Sequence, residues 1–140
     1  MRVTRAALPH LRASSRAVVV NISSIAAHTG IPDRALYSAS KGAVQSLTAA
    51  MAADHVREGI RVNCVAAGPV DTPWVRRELD AAPDRAAALA YVHSRQPNGR
   101  LITAEEMAAS ICHLASDLAG ATTGTAMVVD GGLHGVRLPG

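Results

Sequence analysis

Tyr37 and Lys41 stand four residues apart in the stretch Tyr37-Ser38-Ala39-Ser40-Lys41. On a helix that spacing puts both side chains on one face. An ammonium beside a phenol favours the phenolate, and a phenol so placed can act as a general acid and base near neutral pH. Tyr-x-x-x-Lys taken alone is a weak pattern, because an incidental helical pair looks the same. Composition narrows the choice. Lys41 is the only lysine in the chain; the other thirteen of the fourteen cationic side chains are arginine, and Tyr37 is one of two tyrosines. A point ammonium and a planar guanidinium are not interchangeable, so the position asks for an ammonium. Ser24 lies thirteen residues before Tyr37, at the end of an apolar run. In open α/β sheets ligands bind beyond the carboxyl ends of the strands, where a hydroxyl can hold a carbonyl oxygen. Alternatively Ser23 or Ser24 caps the loop that follows. Residue chemistry leaves both readings open.

These residues need strands and helices to hold them. Ala17–Ile22 is a short β-branched run that reads as a buried parallel strand. Ser23–Leu36 is a polar loop punctuated by Gly30 and Pro32. A long helix is expected over Tyr37–Arg57, with Ala43, Val44, Leu47, Ala50 and Met51 at helical spacing and Glu58-Gly59 as its end. A second buried strand is expected at Ile60–Ala66, running into the loop Ala67-Gly68-Pro69. Pro73–Arg95 is helix-prone but interrupted by Pro83, and Thr103 with Glu106 forms a capping pattern for a helix to about Ser116. Ala126–Val129 is a third strand, closed by Asp130-Gly131-Gly132. Before these lies a helix, Val3–Leu11. Its Arg-bearing, acid-free sequence also fits a transit peptide; the helix is preferred because it leads straight into the first strand. Strands alternating with helices imply an α/β fold with parallel βαβ units in an open, doubly wound sheet.

The 140 residues suit one domain, and 49% are apolar with no phenylalanine, so the core must be Ala, Val, Leu and Ile. The formal charge of +3 is scattered, with no basic run, which speaks against nucleic acid as a partner. No apolar run has the length of a membrane span. Cys64 and Cys112 lie far apart in apolar runs, as expected of two buried thiols in a reducing, cytoplasmic compartment. No Cys or His spacing suggests a metal. A triad drawn from Ser24, His28 and Asp33 lacks a nucleophile elbow, so His28 reads as a loop residue. Trp74 either walls a pocket or packs.

As a set, several segments closely resemble the short-chain dehydrogenase/reductase family, in its order and spacing: Asn21-Ile22-Ser23-Ser24, Tyr37-Ser38-Ala39-Ser40-Lys41, Arg61-Val62-Asn63-Cys64-Val65, Gly68-Pro69-Val70-Asp71-Thr72-Pro73, and Thr123-Gly124 with Val128-Val129-Asp130-Gly131-Gly132. The resemblance implies the C-terminal part of a Rossmann-type sheet, about three strands with flanking helices. It makes Tyr37 the acid/base, with Lys41 lowering its pKa and reaching the nicotinamide ribose, and Ser24 the residue that orients a substrate carbonyl. Gly68, Pro69, Val70 and Thr72 would line the nicotinamide end of NAD or NADP. The implied reaction interconverts a secondary alcohol and a ketone, and the complete enzyme would be a homo-oligomer. The family's glycine-rich turn would lie upstream: no glycine precedes Gly30 and no asparagine precedes Asn21. Residues 1–140 are therefore expected to be a partial domain without the glycine-rich cofactor-binding half. A non-catalytic fragment or interaction module is the alternative. Arg34 and Arg95 resemble a subgroup acting on hydroxy acids and sugar acids, where an arginine fork clamps a carboxylate; otherwise they are surface arginines.

Overall fold

The computed structural model describes residues 2–139. A three-stranded parallel sheet runs in the order β1 (Val18–Ser24), β2 (Arg61–Ala67), β3 (Ala126–Val129). Helix α1 (Arg2–Ala13) precedes β1, and α2 (Ala35–His55) connects β1 to β2. Helices α3 (Pro73–Asp80), α4 (Arg85–Ser94) and α5 (Ala104–Ala115) connect β2 to β3. The α/β class, the three strands and the flanking helices agree with the sequence expectation.

Strand alternation sorts the core into two clusters. On one face Val19 and Val62 pack with Met51 and Ala52 of α2 and with Leu8 and Leu11 of α1. On the other, Val20, Val65, Met127 and Val129 pack with Met107, Ile111 and Leu114 of α5. Register pairs Val19 with Val62 and Ile22 with Val65. Among the described residues β1 pairs with β2 alone, so its second edge is open.

Several boundaries move, each for a local reason. The first strand extends through Ser23 and Ser24, which pair with Ala66 and Ala67 instead of opening the loop. Helix α2 starts at Ala35, because Asp33 adopts a left-handed φ of 57° and turns the chain so that Arg34 becomes the N-cap. Its α-helical part stops at His55, since the last turn tightens to a 3-10 turn at Val56–Glu58 before Gly59 at φ 75°. The segment around Pro83 resolves into two helices, capped by the side chains of Thr72 and Asp84. The capping box of Thr103 and Glu106 is present as expected. One expectation fails: Cys64 is buried, but Cys112 is exposed. On α5 the inward positions are Met107, Ile111 and Leu114, and a residue one step from Ile111 turns outward. Trp74 is exposed, so it does not pack into the core.

Candidate active site

The carboxyl end of β1 and the first turns of α2 meet at two hydrogen bonds. The buried Ser23 hydroxyl donates to the Lys41 carbonyl at 2.8 Å, and Lys41 Nζ donates to the Ile22 carbonyl at 3.2 Å. The ammonium thus sits over a peptide group of the strand's end. It lies 5.7 Å from the centre of the Tyr37 ring, within cation–π range. Tyr37 is 44% exposed, and its hydroxyl has no hydrogen-bond partner among the described residues. The i, i+4 pair therefore shares one face as expected, with the ammonium anchored and the phenol free.

Ser24 caps the turn that follows β1. Its Oγ accepts the Ala26 N–H at 3.2 Å and caps the 3-10 turn Ile25–Ala27. A hydroxyl also carries one proton to donate, and that proton remains available. The chain after Ser24 lines an open cleft of about 920 Å³ whose wall includes His28, Asp33, Arg34 and Tyr37. The Arg34 carbonyl accepts the Ser38 N–H at 2.7 Å, while its guanidinium makes no hydrogen bond or ion pair among the described residues. Arg95 is not on this wall. It donates to the Tyr91 hydroxyl at 3.0 Å and stacks on that ring at 5.7 Å. The structure does not bring the two arginines together.

The loop after β2 is held by backbone contacts. Gly68 N–H donates to Val129 O at 2.9 Å, and Val70 bridges Ile102. A Cβ on Gly68 would lie 2.8 Å from Asp130 Cα, so only glycine fits. The Thr72 hydroxyl accepts the Val75 N–H at 3.3 Å as the cap of α3. Asp71 is clamped by Arg76 through two bonds of 2.7 and 2.8 Å, which lowers its carboxyl pKa. Burial raises the Cys64 thiol. No group of three or more metal-ligating side chains occurs among the described residues, and no described helix is long and apolar enough to cross a membrane.

A family model described as Enoyl-(Acyl carrier protein) reductase, of the short-chain dehydrogenase/reductase type, matches residues 1–134. The chain belongs to the short-chain dehydrogenase/reductase family. It is 44% identical over 126 residues to "Dehydrogenase/reductase SDR family member 6" of Aquarana catesbeiana, covering 89% of this chain and 51% of that protein. It is 37% identical over 130 residues to the 2-keto-3-deoxy-L-fuconate dehydrogenase of Xanthomonas campestris, covering 91% of this chain and 43% of that one. Among solved structures it superposes on a Burkholderia cenocepacia gluconate 5-dehydrogenase in complex with NADP and tartrate. There the TM-score is 0.85 and the identity 33%, over 96% of this chain and 51% of the other. The chain thus spans about half the length of the relatives it matches.

Three contacts near the candidate site are not legible in the sequence. Ser23, a candidate cap by its residue type, ties β1 to the backbone of Lys41. His28 contacts Gln45 and His134, and no motif signals that meeting. Asp130 accepts the N–H groups of Gly132 and His134 at 2.8 and 2.6 Å; the Gly131-Gly132 pair behind it was the available signal of a tight turn.

Proposed function

We infer that this chain carries the catalytic half of an NAD(P)-dependent oxidoreductase that interconverts a secondary alcohol and a ketone. The observation that carries the reading is the anchored ammonium of Lys41, 3.2 Å from Ile22 O and 5.7 Å from the Tyr37 ring, beside an open cleft. Tyr37 passes the proton to and from the substrate oxygen. Lys41 holds its charge beside the Tyr37 ring, and the free proton of Ser24 orients the carbonyl. An ammonium has three N–H donors and one is used on Ile22. Two remain, which fits the hydroxyls of a nicotinamide ribose, while Gly68, Pro69, Val70 and Thr72 line the nicotinamide end. The nicotinamide group, NAD or NADP, supplies the hydride chemistry when bound.

The substrate class is a hydroxy acid or sugar acid. Arg34 supports it, because its unpaired guanidinium on the cleft wall can take a carboxylate through two parallel bonds. The relative named for 2-keto-3-deoxy-L-fuconate agrees with this class, as does the tartrate of the gluconate dehydrogenase complex; L-fucose, for which another relative is named, is a neutral sugar outside it. Arg95 contributes only once its Tyr91 stack opens. The partners on this reading are the small-molecule substrate and a second copy of the complete protein, in the reducing cytoplasm. A second reading, a non-catalytic interaction module, rests on the open edge of β1.

The test is a fusion that places the N-terminal half of the Aquarana catesbeiana relative before residue 1, assayed by nicotinamide absorbance. Oxidation of hydroxy acids is expected, and Arg34→Ala should raise their KM by about tenfold or more with little effect on neutral alcohols. Equal effects on both substrate types would show that Arg34 does not read charge. No turnover of any alcohol by a folded fusion would favour the module.

A further inference from the structure

The cleft wall holds a side chain that the proton-handling residues do not use. His28 ends the short turn whose first residue is capped by Ser24: its N–H donates to Ile25 O at 2.9 Å, and Ala26 N–H donates to Ser24 Oγ at 3.2 Å. The backbone of His28 is thus one rigid turn away from Ser24. Its ring is gripped from two sides. Gln45 Nε2 on α2 lies 2.9 Å from His28 Nε2. Nε2 is committed to that contact, which leaves Nδ1 as the ring nitrogen free to meet a ligand. On the other side the ring of His134 meets it edge to face, with centroids 5.0 Å apart and planes at 86°.

His134 comes from the far end of the chain, and its turn is fixed. Asp130, only 6% exposed, accepts both the Gly132 and the His134 N–H groups. Gly131 and Gly132 take φ of 63° and 92°. Side chains there would strike Asn98 and Val136, and Val136 N–H closes the turn on Gly132 O at 2.8 Å. A turn fixed this firmly delivers one ring to one place.

The geometry points to His28 as a specificity-determining residue of this cleft, hydrogen-bonding to the polar end of the substrate, with His134 as the residue that positions it. The inference rests on the reading of the cleft as a substrate site for hydroxy acids. His28 and Arg34 share the wall, so they offer an imidazole and a guanidinium to a group beyond the reacting carbon. Neutral alcohols without such a group gain nothing from the histidine. A purely packing role would instead affect all substrates alike.

The fusion protein tests this with 3-hydroxybutyrate against 2-butanol, which has no polar group beyond the reacting carbon. His28→Ala should raise KM for the acid by about tenfold, far more than kcat falls, with a smaller change for 2-butanol. His134→Ala should show the same split at smaller amplitude, and His134→Phe, which keeps an aromatic edge on His28, should restore KM. Equal losses for acid and 2-butanol, or a Phe variant as impaired as the Ala variant, overturn the proposal. If a folded fusion turns over no alcohol, the substrate reading itself fails, and the positioning claim is then decided by NMR on that same fusion. There the His28 ring resonances should move in His134→Ala and stay near their place in His134→Phe. Resonances that ignore both substitutions would overturn it.

Discussion

Gly68→Ala should destabilise the chain while Gly42→Ala should stabilise it, although both add one methyl group to a glycine near the site. At Gly68 the new Cβ would lie 2.8 Å from both Cα and Cβ of Asp130, and the neighbour is backbone, not the end of a flexible side chain. Asp130 cannot yield cheaply. Its carboxylate holds Gly132 and His134 at 2.8 and 2.6 Å, and Gly68 itself is tied to Val129 O at 2.9 Å. Relief means breaking one or two of these bonds, at about 0.5–1.5 kcal/mol each, or overpacking the contact, at about 1–3 kcal/mol. The expected loss is about 1–3 kcal/mol, a fall in Tm of about 4–12 °C for a chain of this size. At Gly42, inside α2, no heavy atom lies within 4 Å of the new methyl. Helix propensity then favours alanine by about 0.5–1 kcal/mol. Thermal melts of both variants and the parent, at one protein concentration, read the difference. A Gly68→Ala variant that melts with the parent would refute the close approach of the two loops.

In the fusion, Tyr37→Phe should lower kcat by about a hundredfold or more while leaving cofactor affinity nearly intact, and Lys41→Arg should fail comparably despite keeping its charge; near-normal turnover by either contradicts the roles assigned. Glu106 gives a pH prediction. The Arg100 guanidinium, with the Thr103 N–H, holds its carboxyl at about 2 against an ordinary 4.5. The folded state therefore sheds this proton more readily than the unfolded chain. The stabilisation is complete above the ordinary value and drains away as pH falls from there towards about 2. Urea midpoints should drop across that window, and Glu106→Gln should flatten the drop; an unchanged slope removes the ion pair from the account. The 140-residue chain by itself should self-associate through the open edge of β1 and should bind NAD(H) or NADP(H) only weakly. Light scattering that shows a monodisperse monomer, or calorimetry that shows low-micromolar binding, would count against these expectations.

Much of this was legible because local rules and tertiary demands agreed. β-Branched runs such as Val18-Val19-Val20 have no better place than a buried parallel strand, and the Thr103–Glu106 box fixed the start of α5 to the residue. Errors arose where the chain turns on a single dihedral or a single neighbour. Nothing in the composition of Ser23–Leu36 reveals the left-handed Asp33 that starts α2 two residues early. The outward turn of Cys112 follows from which face of α5 meets the sheet, and an apolar run without a clear stripe does not say which.

The site shows the same division more sharply. Tyr37 and Lys41 were readable because their relation is four residues of one helix. Arg34 and Arg95 were paired in expectation, yet Arg95 has a partner four residues back in Tyr91. A local aromatic contact at helical spacing competes with a distant fork and needs no loop to close. At Ser24 the structure shows the cap. A hydroxyl that accepts still has a proton to donate, so the role proposed for Ser24 at a carbonyl is compatible with capping. The cap fixes the oxygen in place. The turn it stabilises then carries the chain into the cleft wall, so one side chain sets the position of the residues beyond it.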